Sequence, residues 1–215
     1  MTKKCEELKN EFIDIVKANI SRIGINELMQ YLDETDFYVS PASTKYHGAY
    51  EGGLVEHSIN VYYSLIDTLQ FFYGPEWEKR YSKETATIVS LFHDVCKIGR
   101  YKTDIRNVKN VETGRWEEKI VYVYDTDYRN MGHGAKSVIT IMEHMYLEEV
   151  EKEAIFWHMG AFDLGNYNTA SALCEIFNRN TLAYALHSAD SDATFITENP
   201  LFEPIPLEPN TSTDN

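Results

Sequence analysis

Cysteine is scarce in this 215-residue chain: Cys5, Cys96 and Cys174 lie far apart, and no Cys-x-x-Cys pair occurs. An odd count at such spacing speaks against a disulfide framework and against a thiolate zinc site. Cys96 reads as a small buried residue. Positive charge is also short, with 20 Lys and Arg against 34 Asp and Glu, a formal net charge of −14. Long-range attraction to nucleic acid or to an anionic membrane is therefore not expected. A local basic pocket or bound metal can still hold one phosphate group, which favours a small substrate over a polymer. Long apolar runs are missing: none approaches the ~18–20 residues needed to cross a bilayer, and no signal-type apolar stretch follows the first residues. A cytoplasmic protein without a membrane partner is expected. Proline is rare before residue 199, and four of the six fall in the last stretch, so 199–215 is expected to be extended or disordered. What remains is 43% hydrophobic and 13% aromatic, enough for one domain over 1–198 with a sizeable core. The 15 tyrosines are read as packing residues. Oligomeric state is not legible.

The chain is organised around residues 90–99, which hold the doublet His93-Asp94 and, three residues on, Lys97. Ile88, Leu91, Phe92 and Val95 follow the i, i+3, i+4, i+7 spacing of a buried helix. An imidazole nitrogen beside a carboxylate oxygen is a donor pair suited to zinc, iron or manganese. Taken alone, the doublet reads equally well as a satisfied core histidine with a capping aspartate.

Helical spacing covers residues 6–32, with a break at Gly24. A loop over 40–53, punctuated by Pro41 and glycines, leads into a helix from Leu54 to Tyr73 with His57 in its first turns. The next helix starts near Ser82, a candidate N-cap, and ends with His93 and Asp94. Over 101–128 the period changes to β-branched and aromatic alternation around a Gly turn, the pattern of an inserted hairpin. Gly132-His133-Gly134 opens another helix. A short one over 147–159 has His158 in its last turn, and the last long helix runs from Thr169 to Asp190 or slightly beyond.

Six ligand-type residues thus fall at or near the ends of five helical segments: His57, His93, Asp94, His133, His158 and Asp190. A metal site in a helical bundle core needs such a distribution. With the surrounding motifs, Gly52-Gly-Leu-Val-Glu-His-Ser58, His93-Asp-Val-Cys-Lys-Ile-Gly99, Gly132-His-Gly134, Trp157-His-Met-Gly160 and Ala189-Asp190, the chain resembles the HD superfamily of metal-dependent phosphohydrolases over roughly residues 40–195. The branch it looks most like is the HD part of YhaM-type 3′–5′ exoribonucleases, which the loop Lys45-Tyr-His-Gly-Ala-Tyr50 also resembles.

That resemblance implies an all-α, HD-type helical bundle with a small inserted β-hairpin. It also implies one or two divalent metal ions (Mn, Fe, Mg, Zn or Ni). His57, His93, Asp94 and Asp190 would hold one ion. His133 and His158 would add a second, with Asp94 bridging. Many two-metal relatives have a His pair where this chain has His158-Met159. The implied activity is hydrolysis of a phosphoester or phosphoanhydride of a nucleotide or similar small phosphate compound by activated water, with Asp94 and Lys97 as catalytic residues.

Lys97 stands four residues after His93, so one helix face would carry both; it is assigned to phosphate or leaving group, against a solvated helix-end lysine. His47 is assigned to substrate, against simple exposure. His187 reads equally as a partner of a ligand or as a bland polar residue, His144 as helix surface, and Glu56 as solvated. Arg106, Lys109 and Arg115 on the hairpin are solvated charges or parts of a lid. Two rival functions stay open: a 3′–5′ exonuclease on single-stranded nucleic acid, and a non-catalytic nucleotide-binding regulator. Against the first, the ~40 residues ahead of the motif are too few for a five-stranded OB barrel. A di-iron oxygenase ranks below both.

Overall fold

The computed structural model describes residues 1–110, 113–163 and 167–199. The stretch 200–215, and with it the expectation of an extended tail, lies outside the described residues. The described part is predominantly helical, with one two-stranded hairpin. Its elements are α1 (Lys3–Asn19), α2 (Ile25–Glu34), α3 (Gly53–Tyr73), α4 (Lys83–Phe92), β1 (Tyr101–Lys109), β2 (Trp116–Tyr124), α5 (His133–Met142), α6 (Glu149–Trp157), α7 (Tyr167–Arg179) and α8 (Thr181–Asp192). A π-helical turn, Ala193–Thr197, follows α8.

The centre of the bundle is α4. Ser82 caps it by accepting from Thr85 N, and every residue from Thr85 to Phe92 is buried. A helix apolar on all sides belongs inside. Its polar members cause no conflict, because Thr87 and Ser90 return their hydroxyls to the carbonyls of Lys83 and Ala86. Around it pack α1, α3 and α6. Phe12 of α1 meets Phe37 and Phe92 edge-on at 5.3 and 5.7 Å, the arrangement aromatic quadrupoles favour.

Two close backbone approaches shape the surroundings of the site, one between a loop and α3 and one between α5 and α6. A Cβ on Gly53, at the start of α3, would lie 2.0 Å from Gly48 O. A Cβ on Gly134, in the first turn of α5, would lie 2.0 Å from Phe156 O in α6. Only glycine lets backbones touch in this way. A buried ion pair fastens α6 from the other side: the Glu151 carboxylate is fully buried and receives the Arg22 guanidinium, which also reaches Glu84. Glu151 completes a capping box with Glu148 as well.

The last long helix of the sequence reading is two helices. Asn180 interrupts it, accepting from Leu182 N to cap α8 and giving its amide to Val150 O. The hairpin forms as the alternation predicts, in register from Tyr101↔Tyr124 to Lys109↔Trp116. Ile105, Trp116 and Ile120 are exposed along it. Arg106 pairs with Asp104 on its own strand, and among the described residues of the hairpin only Tyr101 and Tyr124, at the root, reach the cavity described next.

Candidate metal centre

The helix α4 stops at Phe92. His93 is its C-cap, and Asp94 at φ −110°, ψ 17° leads into a separate 3₁₀ turn, Val95–Lys97. His93 and Lys97 therefore do not share one continuous helix face as the sequence suggested. The break is what turns the Asp94 side chain inward, where it is 2% exposed.

Each oxygen of Asp94 faces a different set of groups. Oδ2 lies 3.5 Å from His93 Nε2, 3.8 Å from His57 Nε2 and 2.6 Å from Lys97 Nζ. Oδ1 lies 3.6 Å from His158 Nε2 and 3.7 Å from His133 Nδ1. Asp190 on α8 closes the first side, 3.1 Å from His57 Nε2. The structure brings all six sequence candidates together. His57 comes from the first turns of α3, His133 from the first residue of α5, and His158 from the C-cap of α6.

Three of the imidazoles are oriented from behind. His93 Nδ1 donates to Ser90 O at 2.7 Å and His158 Nδ1 to Ile155 O at 2.6 Å. His57 Nδ1 donates to Glu198 Oε1 at 2.9 Å. A ring that donates through Nδ1 keeps Nε2 for a ligand. The Nε2 atoms of His93 and His158 are buried and make no hydrogen bond, and that of His57, also buried, faces the Asp190 carboxylate at 3.1 Å. Buried polar atoms without partners are rare and call for an explanation.

The electrostatics point the same way. Burial opposes charge on His57, yet the carboxylates of Glu198 and Asp190 outweigh it and lift its pKa to about 10. Burial likewise opposes ionising Asp94 and Asp190. The Lys97 ammonium and His93 beside the first, and His57 beside the second, nevertheless hold both carboxyls well below the usual range. His93 is pushed down to about 4 by burial. Asp94 and Asp190 face the imidazole Nε2 atoms and Glu198 stands behind His57 at Nδ1, with Lys97 as the paired ammonium, an environment that favours positive charge at the centre. Overlapping triples of these donors, such as His57, His93 and Asp94 or His93, His158 and Asp190, have their ligand atoms within 4.8 Å of one another and fit a divalent ion of the zinc, iron or manganese type.

This centre forms the floor of a cavity of about 720 Å³, within the usual range for small-molecule sites. His47 lines it with its Nε2 buried and without a hydrogen bond. Burial, then the charges of His57 and Lys97, lowers its pKa to about 4, so it is neutral at pH 7. Lys97 and Arg100 contribute cations to the wall, and Tyr46, Phe162 and Phe195 contribute apolar surface.

Two residues of this site were missed in the sequence. Glu198 follows the π-helical turn and binds both His57 and Asn60 Nδ2; it sits 141 positions from His57, where no periodicity could pair them. Arg100 donates from Nη1 to His133 Nε2 at 2.6 Å and lies against the rings of Tyr124, Tyr128 and Tyr101. Its position three residues after Lys97 was the only available signal. His187 donates to His158 O and lines the cavity. Glu56 is occupied by Tyr50 and Lys4, away from the centre. His144 is not on a helix surface: it lies in the turn after α5, stacked on Tyr31 at 4.6 Å.

Fold and site together define a helical protein with a buried histidine–carboxylate cluster suited to a metal ion. No family profile and no solved structure matches the chain. Among curated proteins, the chain is a distant relative of the dihydroneopterin 2′,3′-cyclic phosphate phosphodiesterase of Methanocaldococcus jannaschii, 33% identical over 102 residues. The matched stretch covers 46% of this chain and 37% of that protein.

Proposed function

We propose that residues 1–198 form one HD-type domain that hydrolyses a phosphoester of a small compound in a metal-dependent reaction. The observation that carries this reading is the partition of Asp94, whose two carboxylate oxygens face separate groups of imidazoles at the floor of a cavity with cationic walls. His57, His93, Asp94 and Asp190 would hold one divalent ion, and Asp94, His133 and His158 a second. Such ions supply Lewis-acid activation of water at neutral pH and neutralise charge on the phosphoryl oxygens.

The chain's own residues do the rest. Ser90 O, Ile155 O and Glu198 fix the ring orientations of His93, His158 and His57. Lys97 is held charged, since Asp94 at 2.6 Å overcomes its burial, and it stabilises phosphate oxygens or the leaving group. Arg100 offers a planar fork to the same phosphate. His47, being neutral, serves as a hydrogen-bonding group to substrate rather than a cation. The aromatic wall suits a ring system attached to the phosphate. Together with the activity of the archaeal relative, this favours a cyclic phosphodiester of a small heteroaromatic compound. The net charge of −14 weighs against the exonuclease alternative.

The test is metal quantification of the purified protein, followed by assay on 2′,3′-cyclic phosphates, common nucleotides, a generic phosphodiester and labelled single-stranded RNA. Turnover of the small cyclic phosphates is expected. Turnover of RNA alone would replace this reading with the exonuclease, and binding without turnover would replace it with a regulator.

A further inference from the structure

Cys96 is the buried group the mechanism leaves unused. Its backbone is held on both sides: its N–H donates to Ser137 Oγ at 3.2 Å and its carbonyl accepts from the Tyr128 hydroxyl. The thiol is fully buried, and its neighbours include two of the candidate ligands. Its Sγ lies 3.8 Å from Asp94 Oδ1 and 3.7 Å from His133 Nδ1. Cys5 differs in its partner, since its thiol donates to a backbone carbonyl, Tyr38 O, at 2.8 Å. On the same side of Asp94, the fully buried His158 presents Nε2 with no hydrogen bond, 3.6 Å from Oδ1.

We infer that Cys96 is a ligand of the second metal position, making it a sulfur-containing site of Asp94, Cys96, His133 and His158. This rests on the metal-centre reading above and adds to it a donor and a metal preference. Zinc–ligand distances of ~2.0–2.3 Å at tetrahedral angles put neighbouring donor atoms roughly 3.3–3.6 Å apart. Asp94 Oδ1, Cys96 Sγ and His133 Nδ1 lie 3.7 to 3.8 Å from one another, close to that spacing, and His158 Nε2 approaches this group through Oδ1 at 3.6 Å. The first position has only nitrogen and oxygen donors, so the two positions differ in softness. The sulfur side selects zinc or cobalt over magnesium, which takes oxygen ligands. Binding there releases the thiol proton to solvent. A neutral His133 ring has one lone pair, which Arg100 uses at Nε2, so Arg100 and the ion compete for it.

Cobalt(II) titrated anaerobically into the chelator-treated full chain tests this. A sulfur-to-cobalt charge-transfer absorption in the near ultraviolet is expected in addition to ligand-field bands. Cys96→Ser should lose that absorption and bind the second cobalt about tenfold or more weakly. The Cys5→Ser/Cys174→Ser chain, in which Cys96 is the sole thiol, should keep it, and decides the matter even if Cys96→Ser does not fold. Ligand-field bands without charge transfer in that chain overturn the inference and leave the metal-centre reading standing. No cobalt binding to any of the chains overturns both.

Discussion

Gly134→Ala puts the reasoning about helix crossing and metal site to one test. Glycine inside a helix normally costs ~0.5–1 kcal/mol relative to alanine, so at an open position the substitution would stabilise. Here the new Cβ would stand 2.0 Å from Phe156 O and 2.5 Å from Phe156 C. Carbon contacts are comfortable only near ~3.5–4.0 Å, so α5 and α6 must part by about 1–1.5 Å. Overpacking of this kind costs ~1–3 kcal/mol. At ~2–4 °C per kcal/mol for a chain of this size, Tm should fall by ~2–12 °C. The geometric consequence is sharper than the thermal one. His133 precedes Gly134 and His158 follows Phe156 by two residues, so the separation opens the Oδ1 side of Asp94 and leaves the Oδ2 side in place. Metal sites tolerate only ~0.2 Å in ligand distance. Bound metal, measured by elemental analysis after desalting, should drop by the second equivalent and keep the first. A raised Tm, or an unchanged metal content, refutes the close approach as the device that sets this half of the site.

Other consequences are equally direct. His93→Ala or Asp94→Ala should abolish metal binding and turnover while far-ultraviolet circular dichroism stays largely helical; unchanged metal stoichiometry in both variants would sink the assignment. Lys97→Met strands the buried Asp94 carboxylate, and breaking such a pair costs ~3–5 kcal/mol; urea denaturation should show that loss in chelator and a smaller one with zinc. Glu198→Gln weakens the acceptor that orients His57, so metal affinity should fall ~10–100-fold by competition with a chromogenic chelator, whereas an unchanged affinity would make Glu198 a bystander. His57, with its pKa raised to about 10, holds a proton throughout pH 6–9 that metal must displace. Apparent affinity for the first ion should therefore rise about tenfold per pH unit over that range, and a flat profile would contradict the proton count.

How much of the centre could be read along the chain depends on the kind of residue. His57, His93, Asp94, His133, His158 and Asp190 stand out because histidine and aspartate beside apolar helical stretches demand a partner, and helix ends aim side chains at a common point. Glu198 was only the last residue before a proline-rich tail. Arg100 looked like a charge before a strand, and Cys96 like filler. In each case nothing local distinguishes the functional role from the bland one. The same limit explains the misplaced boundaries: helical periodicity runs through Asn180 and through His93 to Lys97, while the backbone turns at both.

The amino-acid order carries the helices, the hairpin and the inventory of donors, since periodicity, caps and side-chain chemistry are local properties. Only the folded chain decides which oxygen of Asp94 faces which imidazole, that Glu198 stands behind His57, and that Cys96 points at the centre and not into the core. Those relations depend on a helix break at His93, on glycine contacts between helices, and on residues up to 141 positions apart, and such distances are set by packing.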